Sequence, residues 1–370
     1  MFEEIRPYND KEIPEAIARV AADPMFGTII HYLFPEEDVE TFRLQFLQIK
    51  TIRDFQEKVM LRAVSSIVSQ TASDFSCDGF EKLNPEKRYL FLANHRDIVL
   101  DAAILQVVLN QYHHETSEIT FGNNLMQGQL IIDIGKMNKM FRIIRSGSMY
   151  DFYRNLQQVS AYMRFALLQK RQSVWIAQRN GRTKDGSDKT EPALLKMLSK
   201  SSDKPFADNL NELNITPVII SYEYEPCDFL KAQELYISQY QPYIKNVGED
   251  LHSILRGITQ QKGRIHLSVA DTLTLEELNE CGRMGKNAQF GSLAQLIDQR
   301  IYNQYKLFPT NYIGYDLLNE TNRFSKCYTA DEKLQFEERM NAGLSILSGE
   351  QEELRNIFLQ IYASPVMNCK

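Results

Sequence analysis

No window of this 370-residue chain holds the roughly 18 to 20 uninterrupted apolar residues that would span a bilayer. Cysteine is scarce: Cys77, Cys227, Cys281, Cys327 and Cys369 are odd in number, far apart and never spaced Cys-x-x-Cys. That excludes a disulfide framework or a cysteine-based zinc site and reads as reduced thiols in a cytoplasmic protein. No His-x3-His pair or Cys/His cluster occurs, so neither a metal nor another cofactor is expected. Positive charge is not in excess, with 42 Lys and Arg against 48 Asp and Glu and a net charge of −6. Nucleic acid therefore drops out as a partner, and any attraction to anionic lipid must be local. The first residues, Met1 to Arg6, lack the basic and apolar regions of a signal peptide. A Gly-x-Ser-x-Gly elbow is missing too, which speaks against a serine hydrolase.

What is present divides the chain into three parts. Residues 1–70 read as a helical region, with Ile52, Phe55, Val59, Ala63 and Ile67 at three- and four-residue steps along one face. Residues 71–275 alternate short apolar runs with amphipathic stretches. Strands are expected at Tyr89 to Ala93, Glu118 to Phe121, Ser173 to Ala177, Thr216 to Tyr222 and Arg264 to Val269. Phe152, Leu156, Val159, Met163 and Leu167 mark an amphipathic helix between them. Strands alternating with helices predict an α/β fold with a mixed, mostly parallel sheet and crossover helices. Residues 276–370 read as helical again, so the core carries helical additions at both ends.

The most informative segment runs from Leu90 to Asp101. A short apolar run ends in Asn94-His95-Arg96-Asp97, and an apolar helical stretch from Ala102 to Leu109 follows. A histidine at the end of such a strand, with an acid to hold its ring, is a general base where α/β proteins place their chemistry. Asp101 is the expected orienting acid and Asp97 the alternative. His95-Arg96-Asp97 also spells the start of a kinase catalytic loop, but Ala102 stands where that loop needs asparagine. The remaining histidines are bland: His113 and His114 follow a helix, and His31, His252 and His266 stand singly without an acid at useful spacing. Tyr222 and Tyr224 alternate on a strand and read as packing residues.

Further blocks follow the first in order. Gly122-Asn123-Asn124-Leu125 leads to Phe141-Arg142-Ile143-Ile144-Arg145; then come Ala177-Gln178-Arg179-Asn180-Gly181-Arg182-Thr183-Lys184, Thr216-Pro217-Val218-Ile219-Ile220-Ser221-Tyr222-Glu223 and Gly263-Arg264-Ile265-His266-Leu267-Ser268-Val269. This order over residues 75–275 resembles the glycerolipid acyltransferases of the glycerol-3-phosphate and 1-acylglycerol-3-phosphate type. That family carries H-x4-D, G-x-N-L with F-x-I-R, E-G-x-R-S, V-P-I-x-I-x-Y-E and G-x-I-x-V blocks. Two departures stand out: the acid at Asp101 gives H-x5-D, and Asn180 occupies the usual glutamate position.

The resemblance implies acyl transfer from acyl-CoA or acyl-carrier protein to the hydroxyl of glycerol 3-phosphate, in phospholipid biosynthesis. Lysophosphatidate or an acylated amino acid is the alternative acceptor, and a non-catalytic lipid-binding relative the alternative class. Removal of the hydroxyl proton suits a neutral imidazole, whose free pKa is about 6.5. Arg145, Arg182 and Lys184 are the cations expected to hold the acceptor's phosphate, with Asn124, Asn180 and Gly181 contributing to the same site. Membrane contact at the inner face of the cell membrane should be peripheral, with Lys136 to Arg142 as the candidate anchor because it mixes cations with Met137, Met140 and Phe141.

Overall fold

Two hydrophobic layers, one on each face of a single sheet, explain why the inner strands read as unbroken apolar runs. The computed structural model describes residues 2–125, 128–143 and 149–369. Seven strands, β1 (Ala72–Asp78), β2 (Leu90–Ala93), β3 (Glu118–Gly122), β4 (Met140–Ile143), β5 (Val174–Ala177), β6 (Ile215–Tyr222) and β7 (Gly263–Val269), form one sheet. Their order is β1-β7-β6-β2-β5-β3-β4. β6, β2, β5, β3 and β4 run parallel; β7 lies antiparallel to β6, and β1 parallel to β7. The fold is thus α/β with a mixed, mostly parallel sheet and helical additions, as expected.

The alternation of side chains along a strand sorts the core into its two layers. Leu90, Leu92, Val174, Ile176, Ile215 and Ile219 pack on one face, against Val159, Met163 and Leu167 of the Met149–Leu168 helix and Leu293 and Ile297 of Gln289–Gln304. Phe91, Ala93, Trp175, Val218 and Ile220 pack on the other, against Val64 and Ile67 of Leu61–Thr71 and the Leu100–Gln111 helix. β1 and β4 were not among the expected strands. Each is an edge strand with one neighbour, so β1 is half polar and β4 only four residues long. Neither needs the apolar run that betrays a central strand.

The amino-terminal helices gather around their own cluster, in which Phe26, Phe34, Phe42 and Phe46 contact one another. Met137 enters that cluster, Phe141 packs on Tyr162 at 4.8 Å, and Met140 faces the layer beneath Leu100–Gln111. The Lys136 to Arg142 stretch therefore offers no apolar anchor to a membrane, contrary to expectation: its apolar residues are consumed by three separate parts of the core. Among the described residues no helix is long and apolar enough to cross a membrane.

The carboxy-terminal helices are built into the core. Gln351–Asn368 buries Leu354, Phe358, Ile361 and Tyr362, and Gly314 of Pro309–Leu318 lets it approach closely. Its Ser364 hydroxyl donates to Asp185 O at 2.6 Å, in the loop after β5. Gly186 in that loop has φ +74, and a Cβ there would sit 2.3 Å from Ile361 O. The loop and the last helix are therefore in backbone contact, which only glycine permits.

Gly186→Ala should lose about 3 kcal/mol of stability, combining left-handed strain with a backbone clash. Gly285→Ala, at φ +80 with open space around its Cβ, isolates the strain and should lose about 1 kcal/mol. Chemical denaturation of both variants measures the difference, and equal losses would remove the close-contact account.

Candidate active site

Parallel strands end on one side of a sheet, and the ends of β2, β3 and β5 there line a cleft of about 480 Å³. Asn94 fixes the end of β2. Its side chain accepts from Ile220 N at 2.8 Å and donates to Ile220 O at 3.0 Å and Asp188 Oδ2 at 3.1 Å. The chain then turns through His95, whose carbonyl accepts from Thr183 N at 2.7 Å, and enters the Leu100–Gln111 helix.

Where that helix starts decides the roles of the two acids. Asp97 precedes it, and its Oδ1 accepts from Val99 N at 2.9 Å and Leu100 N at 2.8 Å. That is helix capping. Asp101 lies in the first turn, where side chains lean back toward the amino terminus. Its Oδ2 accepts from His95 Nδ1 at 2.9 Å, Arg96 N at 2.6 Å and Asp97 N at 2.8 Å. Its Oδ1 accepts from the Tyr222 hydroxyl at 2.8 Å. A carboxylate so occupied can only accept, so the His95 proton is assigned to Nδ1 and the Nε2 lone pair is left to act. The ring is 13% exposed and meets Trp175 edge-on at 5.5 Å.

Tyr222 is thus more than a packing residue. Burial, then the Asp101 and Asp97 carboxylates, push its phenol well above its ordinary range, so it stays a donor. Beneath His95, Arg96 is fully buried: Nη1 donates to Glu225 Oε2 at 3.0 Å, Nε to Asp188 Oδ2 at 3.2 Å, and the ring of Tyr305 lies 5.2 Å away. Sequence reading missed both residues. The only signals were their positions, one beside His95 and one in the V-P-I-x-I-x-Y-E-like strand.

The cations expected at the phosphate site fare differently. Lys184 lines the cleft but is ion-paired with Glu234. Lys245, also at the cleft, pairs with Asp250 at 2.5 Å, and Asn124 donates to Asp250 at 2.9 Å. Arg182 is half-buried with Nη1 lacking a hydrogen-bond partner, and Arg179 keeps a buried Nε in the same condition. Arg179 was not anticipated, though it stands next to Asn180. Gly181, at φ +78, turns the loop between the two arginines, and Asn180 is exposed at the cleft. Arg145 lies outside the described residues.

The opposite wall is apolar, formed by Ile98, Val99, Ala102, Phe121, Met140 and Ile143. A histidine thus stands between an oily wall and a cationic end. Cys227 lies beside Arg182, but it is a buried thiol that donates to Ser253 O at 3.3 Å and is pushed up by burial, the wrong direction for a nucleophile. His266, read above as solitary, meets Asp78 at 3.4 Å and the Ser76 hydroxyl at 2.8 Å, across strands that sequence spacing does not connect. Among the described residues no group of three or more His, Cys, Asp or Glu could hold a metal ion.

No protein-family model matches the chain, and no curated protein matches it. A solved structure that does is the crystal structure of the 1-acyl-sn-glycerophosphate (LPA) acyltransferase PlsC from Thermotoga maritima. The likeness covers 77% of this chain and 91% of that one, at 12% identity and a TM-score of 0.37.

Proposed function

We propose that the chain is an O-acyltransferase, moving a fatty acyl group from acyl-CoA or acyl-carrier protein to the hydroxyl of glycerol 3-phosphate or a related lipid precursor, peripherally at the inner face of the cell membrane. The observation that carries this reading is the 2.9 Å contact of His95 Nδ1 with Asp101, at a cleft with one apolar wall and one arginine-lined end.

In this reading His95 Nε2 takes the acceptor's hydroxyl proton as its oxygen attacks the thioester carbonyl carbon. Asp101 stabilises the imidazolium that forms, without itself taking the proton. The tetrahedral intermediate collapses with loss of the thiolate, to which His95 returns the proton, leaving an ester and a free thiol. The apolar wall takes the acyl chain. Arg179 and Arg182, both lining the cleft, take the phosphate as charge-assisted donors. Asp97 acts on the helix and not on the histidine.

Four outcomes follow for purified protein with labelled acyl donor and glycerol 3-phosphate. His95→Ala should remain folded and lose about 10² to 10⁴ in rate. Asp101→Asn should damage turnover far more than Asp97→Asn, whose loss appears mainly as about 1 kcal/mol of stability; the reverse ranking sinks the assignment. Arg179→Ala and Arg182→Ala should each raise KM for the phosphate-bearing acceptor about tenfold while changing kcat less, consistent with a lost hydrogen bond to a charged group. An unchanged KM in both would leave the phosphate elsewhere. Asn180→Glu restores the acid and should raise the rate with glycerol 3-phosphate. A wild type inert toward every acceptor, with Asn180→Glu equally inert, would instead favour a non-catalytic lipid-binding relative, and a wild type faster than Asn180→Glu a different acceptor.

A further inference from the structure

The Glu249–Thr259 helix carries more apolar side chains than its buried side uses. That side holds Ser253, Gly257 and Ile258, the last packed on the core, and a Cβ on Gly257 would lie 2.2 Å from Asp97 Oδ2. Its outward face carries Leu251 and Leu255, 50% and 53% exposed and one turn apart. The turn before it adds Ile244, 84% exposed, and Val247, fully exposed. A helix facing water normally puts polar residues there, and contiguous exposed apolar side chains of this kind mark an interaction surface.

We infer that residues 244–255 form a membrane-docking lip at the mouth of the cleft, which inserts Ile244, Val247, Leu251 and Leu255 into a lipid surface; this rests on the acyltransferase reading above. Continuity with the cleft identifies the occupant. Lys245 and Asp250 belong to the same segment and line the cleft, and Asp250 is tied to Asn124 across its rim. Whatever covers the apolar patch therefore borders the opening through which an acylated, amphiphilic product would leave. A bilayer receives that product directly.

The local charge also fits. His252 and Arg256 are exposed on the turns beside Leu251 and Leu255, at the level where phosphate headgroups would lie. The acids of the segment are already engaged: Glu249 accepts from Asn246 N at 3.0 Å, and Asp250 from Lys245 and, across the rim, Asn124. Protruding side chains on a turn and one helix face suit penetration of a fluid surface. The Lys136 to Arg142 stretch, with its apolar residues in the core, has no such side chains to offer.

The test is co-sedimentation with vesicles of phosphatidylethanolamine and phosphatidylglycerol, alongside turnover of a short, water-soluble acyl donor without vesicles. Ile244→Asp with Val247→Asp, and separately Leu251→Gln with Leu255→Gln, should each lower vesicle binding about tenfold or more. Turnover of the soluble donor should stay within about twofold of wild type, since none of the four residues belongs to the cleft machinery. A wild type that does not bind vesicles, or variants that bind as wild type does, overturns the lip. A wild type that is dimeric by light scattering, with monomeric variants, also overturns it by giving the patch to a second copy of the chain. Vesicle binding lost in the variants while no form of the protein transfers acyl groups supports the lip and sinks the acyltransferase reading instead.

Discussion

The geometry at His95 depends on a buried charge network directly beneath it. Arg96, the next residue, is enclosed completely, and its guanidinium reaches Asp188 in the loop after β5 and Glu225 beyond β6. Lys231 pairs with the other oxygen of Glu225 and donates to Arg96 O at 2.8 Å. Burial alone would lower the affinity of Arg96 for its proton; the two carboxylates outweigh it and hold the group charged. Such charges are costly to take out of water, and losing one partner typically costs about 3 to 5 kcal/mol because the rest are left uncompensated. The network therefore joins three segments at one position. His95 and the backbone N–H groups offered to Asp101 are held where those segments meet.

That constraint places two acids close to one histidine without confusing them. Asp97 and Asp101 are four residues apart, and both lie close to the ring in sequence. The helix starting at Leu100 uses the first as its cap and carries the second, already inside the helix, back toward Nδ1. Tyr222, reaching across from β6, fills the remaining oxygen of Asp101, so the acid has no freedom to swing away. The H-x5-D spacing still brings the acid to the ring because its reach is set by the first helical turn and not by the count of residues.

The far end of the chain matters to this site as much as the near end. Tyr362 donates to Asp228 at 2.6 Å and accepts from Glu225 N at 3.1 Å, while Arg339 holds Asp228 through both oxygens. Ser364 and the close approach at Gly186 hold the loop that carries Asp188. The carboxy-terminal helices thus brace the acidic half of the Arg96 network.

Local pattern determined a good deal by itself. Short apolar runs marked β2, β3, β5, β6 and β7, because strands covered on both faces have few polar positions to spare. The Leu90 to Asp101 segment announced a strand, a polar turn and a helix, and with them a histidine within reach of two acids. What local pattern leaves open is anything that depends on partners distant in the chain. Edge strands β1 and β4 carry weak patterns because one side of each is unpaired. Lys184 and Arg182 look alike as cations in one loop, and only the approach of Glu234 from another helix neutralises the first. Met137, Met140 and Phe141 look like a membrane anchor until the fold buries them, and the outward face of Leu251 and Leu255 becomes visible only once Gly257 is pressed onto Asp97. The sequence by itself determined which segments become strands and helices and which histidine stands at a strand end, since backbone geometry and hydrophobic periodicity are local. Tertiary structure alone decided which charges are paired, which apolar faces are covered and which acid holds the histidine, since each of those depends on groups that folding brings together from distant parts of the chain.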